Sequence, residues 1–156
     1  RRGYLRVGLA LTYSLLEWVE EQWYAGYLVE HLLHGVQPPI PLFVSNWEEK
    51  SFIRWVRDQR VDAVLVAGDV NPFVPWLRRA RIAVPKEVGV VALDLHVFDG
   101  SAAGIDQKSE ENGAAAVDQL VARLHRNERG VLPRSKRIHI MGEWRDGLTI
   151  RKAPVP

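Results

Sequence analysis

The stretch Val84–Asp94, which reads V-P-K-E-V-G-V-V-A-L-D, decides the fold of this chain. Its continuous apolar run, Val90 to Leu93, is typical of a strand buried on both faces in a parallel sheet that helices cover on each side. Asp94 falls where this strand should end. In open α/β sheets, ligands bind at the edge formed by the carboxyl ends of the strands. We therefore predict that Asp94 faces a ligand.

The composition is that of an ordinary globular domain. The chain has 156 residues, of which 47% are hydrophobic and 26% are charged, and this length suits one domain with a substantial core. The formal net charge of +2 does not by itself indicate nucleic-acid binding, which requires clustered positive charge. The absence of cysteine excludes disulfides, thiolate nucleophiles and zinc–thiolate sites.

No segment has the pattern of a membrane span or a targeting signal. No apolar run approaches the roughly 20 residues needed to cross a bilayer, and no signal-peptide pattern is present. We therefore predict a cytoplasmic protein without membrane partners. The chain begins Arg1-Arg2-Gly3 without methionine, which favours its interpretation as the later part of a longer gene product.

Strand and helix patterns alternate through the first part of the chain. Four strands are predicted, at Leu5–Leu11, Pro41–Val44, Val61–Ala67 and Val88–Asp94. Three helices are predicted between them, from Ser14 to about His34, from Trp47 to Gln59, and from about Asn71 to Ala80. This β-α-β-α-β-α-β order predicts an α/β fold with a parallel, helix-flanked sheet.

Local signals mark where these helices should begin. Ser14 and Glu17 have the spacing of a capping box. Asn46 precedes an acidic residue by three positions, which is another start signal, and Asn71 followed by proline suits a cap and a first helical position. Gly35 and the prolines after it should end the first helix.

The chain changes character after His96. Residues 98–104 are loop-like, and residues 105–107 are predicted to be a short extended piece. Ser109 should cap a helix Ser109–Asn127, which has acidic residues in its first turn and basic residues near its end. Its apolar stripe consists of Val117, Leu120, Val121 and Leu124. Arg137–Met141 is predicted to be a strand, and Glu143–Ile150 a hairpin return with Asp-Gly at its turn.

Polar and aromatic side chains follow the predicted strands at their carboxyl ends. They are Thr12, Tyr13, Asn46, Trp47, Asp69 and Asp94. A carboxylate accepts two hydrogen bonds from neighbouring hydroxyls, and an indole can stack on the apolar face of a pyranose, so this set suits a sugar. Each residue also has a structural alternative: Asp69 can cap its helix, and Trp47 can pack on the first turn of its own helix.

No pattern points to catalysis, a cofactor or a metal. His31 and His34 lie one helical turn apart, a spacing that can bind metal, but the only carboxylate close to them in sequence is Glu30. Residues 100–104 lack the lysine of a phosphate-binding loop, and no nucleophile–base pair is found, so an enzyme is not expected. The basic run Arg78, Arg79 and Arg81 is expected to be a solvated helix face, with DNA contact as the alternative.

The same residues carry a family resemblance. Val84–Asp94 resembles the stretch V-P-x-D/E-V-x-V-V-G-F/Y-D of LacI-type transcription regulators. Ala103–Gln107 resembles that family's T-T-V-x-Q segment, and Tyr24–Tyr27 is similar to the x-x-G-F/Y of its first helix. The run Asp106–Gly130, followed by Trp144 and a glycine, resembles a subgroup related to xylose-responsive regulators. The resemblance covers nearly the whole chain.

The resemblance implies a fragment of an effector-binding domain with the periplasmic-binding-protein fold. Residues 1–150 would form this fragment, and residues 151–156 a loose tail. Residues 1–100 and 135–150 would form the second of two lobes, while residues 105–130 would belong to the first lobe, most of which would be absent. The apolar stripe of that segment would then have to be covered, either by a second copy, for example through swapping, or by folding back onto its own lobe.

The resemblance also implies a sensing mechanism. An effector, with a sugar as the favoured class, would close two lobes and so alter how a homodimer presents its DNA-binding heads. Operator DNA would be bound only through a helix-turn-helix that is absent here. Trp23 departs from the family pattern, because much of the family has an arginine three residues before the helix glycine. Trp23 is therefore expected either to stack on the effector or to lie in the core.

Two other classes of protein share parts of this pattern. A periplasmic sugar-binding protein of a transport system has the same fold and is the main alternative. A receiver domain has a similar order of strands and helices. It would need acidic residues after the first strand, where Thr12 and Tyr13 stand.

Overall fold

A mostly parallel sheet organises the protein. The computed structural model describes residues 2–18, 21–34, 39–67, 70–96, 98–130 and 136–153. Within them the strands are β1 Val7–Leu11, β2 Phe43–Val44, β3 Ala63–Val66, β4 Gly89–Ala92, β5 Ala103–Asp106 and β6 Glu143–Arg145. They lie in the order β2-β1-β3-β4-β5-β6. Strands β1 to β5 are parallel, and β6 is antiparallel to β5.

The described helices are α1 Tyr13–Trp18, α2 Gln22–His34, α3 Glu49–Asp58, α4 Phe73–Arg79 and α5 Ser109–His125. Residues of α3 and α4 pack on one face of the sheet and residues of α1 and α2 on the other, whereas α5 has no buried residue. The predicted α/β, helix-flanked architecture is confirmed. The strand order reverses between β1 and β3, so the carboxyl edge there is a topological switch point, where doubly wound folds bind ligands.

The larger part of the core lies between the sheet and helices α3 and α4. Phe52 and Phe73 are fully buried there, with ring centroids 4.9 Å apart in an edge-to-face arrangement. On the opposite face, Tyr27 of α2 packs against Leu9 and Leu11 of β1. Two apolar layers of this kind are what hold a doubly wound sheet together.

Strand β4 confirms the prediction made from Val84–Asp94. All four of its residues are buried. Val90 packs into the core beneath α3 and α4, and Val91 packs on the other face against Ala103 and Ile150. Both faces of the strand are therefore covered, which is why the sequence shows a continuous apolar run instead of an alternation.

The predicted helix from Ser14 to His34 is wrong, because the structure has two helices there. Glu21 adopts a left-handed conformation with φ 59°, and a residue of this kind ends a run of right-handed turns. The start is also different. The hydroxyl of Thr12, not that of Ser14, accepts the N–H of Leu15 at 3.1 Å. The predicted stop at Gly35 lies outside the described residues.

The predicted caps of the later helices are also wrong. The cap positions of α3, α4 and α5 are occupied by Glu48, Pro72 and Lys108, and none of the three makes a side-chain cap hydrogen bond. Trp47 has φ 58°, so the helix predicted to begin there begins later. Ser109 is the first helical residue of α5 and not its cap.

The end of the chain departs most from the predictions. Residues 136–142 form no strand, and Glu143–Arg145 pairs with β5 instead of forming a hairpin. Gly147 lies against the backbone of Ala102, so closely that a Cβ atom would overlap it. Residues 143–145 pair with β5 because the edge of that strand offers unpaired backbone N–H and C=O groups.

The segment predicted to be a loose tail is anchored at its first residue. The backbone N–H of Arg151 donates to the hydroxyl of Tyr4 at 2.9 Å. Its guanidinium donates to the carbonyls of Gly3 and Lys86 and lies over the Tyr4 ring. Residues 154–156 lie outside the described part of the chain.

Candidate functional site

The carboxyl edge of the parallel strands gathers the candidate residues. Asn46 follows β2, Thr12 follows β1, and Asp94 follows β4. Neighbouring strands are about 4.8 Å apart, so the three intervals from β2 to β4 span about 15 Å. Asp69, which follows β3, lies outside the described residues, and its predicted role stays a prediction.

Backbone hydrogen bonds on both sides position Asp94 at this edge. The N–H of Leu93 donates to the carbonyl of Val66 at 2.8 Å, and the N–H of Leu95 donates to the carbonyl of Ile105 at 2.8 Å. These bonds fix the backbone on both sides of Asp94. Its side chain keeps 28% of its surface exposed, and Oδ2 lies 3.4 Å from Nε2 of His96. A positioned, partly exposed carboxylate of this kind can accept hydrogen bonds from a ligand.

Thr12 and Tyr13 differ in what they offer to a ligand. The hydroxyl of Thr12 accepts the N–H of Leu15 and lies 3.2 Å from the hydroxyl of Ser14. It therefore serves as the cap of α1. Tyr13 keeps 61% of its surface exposed, so its ring remains open to solvent and to a ligand.

Trp47 is half-buried and packs against the core. Its ring meets the Phe73 ring edge to face, with centroids 4.7 Å apart. It thus packs on the first residue of α4, whereas the structural alternative predicted for Trp47 was packing on the first turn of its own helix. Because this contact occupies the ring, the structure favours a packing role for Trp47. Its neighbour Asn46 is exposed.

Trp23 packs against the core and lines a cavity, while its predicted stacking on an effector stays a prediction. It packs against the cluster of Leu9, Leu11 and Tyr27 beneath α2. It also lines a cavity of about 460 Å³, which we call the Trp23 cavity. The other lining residues are Leu93, Ile105, Gln107, Asn112, Ile138, His139, Ile140 and Gly142. An indole among amide groups is a surface that can bind a small polar ring.

Sequence reasoning missed Gln107 and Asn112. Gln107 follows β5 at the same carboxyl edge, and its amide N–H donates to the carbonyl of Leu93 at 2.9 Å. The amide of Asn112 donates in turn to the carbonyl of Gln107 at 2.6 Å. The resemblance of Ala103–Gln107 to a family segment was the available signal, because it ends at this glutamine.

A second cavity lies beside Asp94, and we call it the His96 cavity. Its volume is about 360 Å³. It is lined by Leu95, His96, Phe98, Asp106, Lys108, Ser109, Glu110 and Glu111. Part of its polar wall comes from the first turn of α5 and part from Asp106 and Lys108, which precede that helix. The two cavities therefore flank the point at which α5 leaves the sheet.

A charged cluster stands at that same point. The ammonium of Lys108 donates to Oε2 of Glu143 at 2.6 Å and lies 3.4 Å from Oδ2 of Asp106. Arg145 contacts Asp106 at 3.3 Å and Glu143 at 3.0 Å. The N–H of Lys108 bonded to Asp106 lowers the pKa of that carboxyl, and the bonded Lys108 ammonium lowers the pKa of Glu143. Glu143 correspondingly raises the pKa of Lys108.

The remaining candidates have local partners. Nδ1 of His31 lies 3.2 Å from the carbonyl of Tyr27, and Nδ1 of His34 lies 3.2 Å from the carboxylate of Glu30. Within the described ranges, no group of three or more histidine and acidic side chains is arranged to hold a metal. Arg79 pairs with Glu49, while Arg78 and Arg81 are exposed, as expected for a solvated helix face.

No described helix has both the length and the apolar character that crossing a membrane requires.

Solved structures of several transcription regulators are similar to this chain. The Escherichia coli transcriptional repressor ascG has 15% identity and a TM-score of 0.71, over 97% of this chain and 57% of that chain. The transcriptional regulator CelR in complex with cellobiose has 19% identity and a TM-score of 0.66, over 94% and 47%. A LacI family transcriptional regulator from Lactobacillus casei with bound sucrose has 17% identity and a TM-score of 0.61, over 94% and 57%.

Identities this low show likeness of fold, and the chain spans about half the length of these regulators. A comparison with curated protein sequences gave no match. A family model described as a periplasmic binding protein-like domain matches residues 1–143. This match covers almost all of the doubly wound sheet. The chain therefore belongs to the family of periplasmic-binding-protein-like domains.

Proposed function

We propose that this chain is the effector-sensing part of a LacI-type transcription regulator and that its effector is a sugar. The observation that carries the proposal is the position of Asp94, a partly exposed carboxylate fixed at the carboxyl edge of a periplasmic-binding-protein-like sheet. The similar solved structures are transcription regulators, and two of them are described with cellobiose and with sucrose.

The chemistry around Asp94 favours a neutral, hydroxyl-rich ligand. The carboxylate accepts from hydroxyls, and the amides of Gln107 and Asn112 lie in the wall of the neighbouring Trp23 cavity. The ring of Trp23 offers an apolar face at the position where much of the LacI-type family has an arginine. A cationic clamp for an acidic effector is thus replaced by a surface on which a sugar ring can stack.

We further propose that residues 1–100 and 135–150 belong to one lobe and residues 105–130 to another. The support is the exposure of the segment between β5 and β6. Helix α5 has no buried residue, and Met141 beyond it is 85% exposed. The chain leaves the sheet after Asp106 and rejoins it at Glu143, as expected for an excursion into a second lobe.

The regulatory step then follows from two-lobed binding. An effector that contacts both lobes stabilises their closed arrangement, and a dimer of such domains transmits the change to DNA-binding heads. Operator DNA would be contacted by a helix-turn-helix outside this chain. A periplasmic sugar-binding protein of a transport system is the alternative. The sequence encoded upstream distinguishes them, since a helix-turn-helix supports the regulator and a signal peptide supports transport.

A thermal-shift screen tests the proposed effector class. The panel contains pentoses, hexoses, cellobiose and sucrose, with a purine and an amino acid as competing classes. Binding at 100 times Kd stabilises a protein by about 2.7 kcal/mol, which raises the Tm of a chain of this size by about 5 to 10 °C. We expect one of the sugars to produce such a shift.

Two variants locate the binding. Asp94→Asn should lose most of the shift, while Asp118→Asn, which changes an exposed carboxylate of α5, should keep it. A shift with the purine or the amino acid, and with none of the sugars, would overturn the sugar assignment.

A further inference from the structure

Packing does not set the direction of helix α5. None of its residues is buried, and the four side chains of its apolar stripe remain 45% to 67% exposed. Only Gln107 and Lys108 connect β5 to α5. The backbone angles of these two residues therefore decide where the helix points relative to the sheet.

Lys108 holds an unusual conformation at this connection. Its φ of 55° and ψ of 50° are left-handed, and it is the N-cap of α5 without a side-chain cap hydrogen bond. Residues with a Cβ atom favour right-handed or extended angles. A lysine stays left-handed only where neighbouring contacts stabilise it.

Those contacts join the segment that leaves the sheet to the segment that returns to it. Asp106 of β5 and Glu143 of β6 are directly opposite each other, an arrangement in which two carboxylates repel unless cations bridge them. The Lys108 ammonium bridges them, at 2.6 Å from Glu143 and 3.4 Å from Asp106. The N–H of Lys108 donates to Oδ1 of Asp106 at 2.8 Å, which fixes its backbone as well.

The position of the Lys108 side chain strengthens this arrangement. The exposed fraction of the Lys108 side chain is 22%, that of Asp106 is 12% and that of Glu143 is 50%. The ammonium and Asp106 are thus partly shielded from water, and partly buried pairs are screened less by salt than fully exposed pairs. Arg145 contacts the same two carboxylates from β6, so the cluster is neutral when all four groups are charged.

We propose that the Lys108–Glu143 ion pair is a latch that holds α5 in the direction seen here. While it is closed, the left-handed Lys108 fixes the angle between the sheet and the helix. When it opens, Lys108 relaxes to other backbone angles and α5 swings about residues 107–108. That this swing moves one lobe against the other rests on the proposed function, whereas the latch itself rests on the contacts within this chain.

A distance measurement along α5 tests the latch. The chain has no cysteine, so spin labels can be attached at Arg54→Cys on α3 and Gln119→Cys on α5, both of which are exposed positions. Gln119 lies about 16 Å along the helix from Lys108 at 1.5 Å per residue, so a swing of about 20° displaces the label by about 5 to 6 Å. Pulsed electron paramagnetic resonance resolves such a change.

The latch predicts one narrow distance distribution for the labelled parent chain. Lys108→Met, which removes the ammonium, should broaden or shift it, and Glu143→Gln should do the same with Lys108 in place. Lys152→Met, at an exposed lysine, is the matched control and should leave it unchanged. If Lys108→Met does not fold, Glu143→Gln carries the test.

Two results would overturn the latch. One is an unchanged distribution in both Lys108→Met and Glu143→Gln. The other is broadening in Lys108→Met alone, because the backbone of residue 108 and not the ion pair would then set the direction. No effector is present in these measurements, so they do not depend on whether a sugar binds.

Discussion

At the scale of single residues, the hydroxyl of Tyr27 joins three parts of the fold. It donates to the carbonyl of Val7 at 2.9 Å and accepts the buried N–H of Ile40 at 3.0 Å. Helix α2 is thereby tied to β1 and to the chain that enters β2. Burial raises the pKa of Tyr27, which keeps the hydroxyl protonated and able to donate.

Removing this hydroxyl should weaken the fold. Tyr27→Phe leaves the N–H of Ile40 buried without its acceptor, and such a loss costs about 1 to 3 kcal/mol. We expect the free energy of unfolding, measured by urea titration, to fall by that amount. Tyr13→Phe, which changes a ring that is 61% exposed, should stay within about 0.5 kcal/mol of the parent chain. Equal effects of the two substitutions would show that the Tyr27 hydroxyl contributes nothing specific.

Residue roles were only partly predictable from the sequence. Asp94 could be placed at the sheet edge, because a buried apolar run ends there. The packing of Trp47 on Phe73 could not be predicted, because it depends on the left-handed backbone of Trp47 and on the position of α4 beside it. The capping role of Thr12 was assigned to Ser14, because both carry hydroxyls and differ by two positions.

At the scale of elements, the pairing of β5 with β6 should weaken in acid. Hydrogen bonds donated by Lys108 lower the pKa values of the Asp106 and Glu143 carboxyl groups in the folded state. Their contribution is therefore present above the unfolded pKa values of about 3.9 and 4.3, and it is lost as the pH falls through the lower folded values. We expect the Tm to change little between about pH 7 and 5 and to fall below about pH 4.

Replacing both carboxyl groups with amides of similar shape identifies the source of this acid sensitivity. Asp106→Asn combined with Glu143→Gln should flatten the decline of Tm in acid. Asp118→Asn, which removes one exposed carboxylate of α5, shows the effect of losing a surface negative charge alone and should leave the decline as in the parent chain. A decline of unchanged steepness in the double variant would assign the acid sensitivity to other carboxylates.

Elements were predictable where apolar pattern decides them. Strands β1 to β4 and their order along the chain follow from apolar runs, and most of those positions are buried in the structure. Strand β5 was only partly predicted, because Ala103 and Gly104 were assigned to a loop and only residues 105–107 to an extended piece. The first residues of α3 and α5 were not predictable, because they depend on the left-handed backbone angles of Trp47 and Lys108. Strand β6 was misassigned because its partner is the edge of β5, which lies far from it in sequence.

At the scale of the whole molecule, the apolar stripe of α5 is the surface that most needs a partner. Val117, Leu120, Val121 and Leu124 are 58%, 57%, 45% and 67% exposed. The structure contradicts the expectation that this helix folds back onto its own lobe. A second copy remains as the predicted cover, since contiguous apolar surface of this kind marks sites of association.

Self-association through α5 should depend on Leu120 and Leu124. Fully burying a leucine contributes about 1.5 to 3 kcal/mol, and about 1.4 kcal/mol is a tenfold change in Kd. Replacing both residues with lysine should therefore weaken a dimer by about a hundredfold or more. Because neither side chain is buried in the single chain, the Tm of the dilute protein should be unchanged.

Sedimentation velocity over a wide range of concentration measures this directly. The parent chain should approach the mass of a dimer as its concentration rises, and the double lysine variant should remain a monomer. Gln119→Lys, which adds one positive charge at an exposed position of the same helix, separates the effect of charge from that of the stripe and should still associate. A parent chain that stays monomeric at every concentration would leave the second copy without support. We would then expect the stripe to pack against the rest of the first lobe in the proposed two-lobed domain.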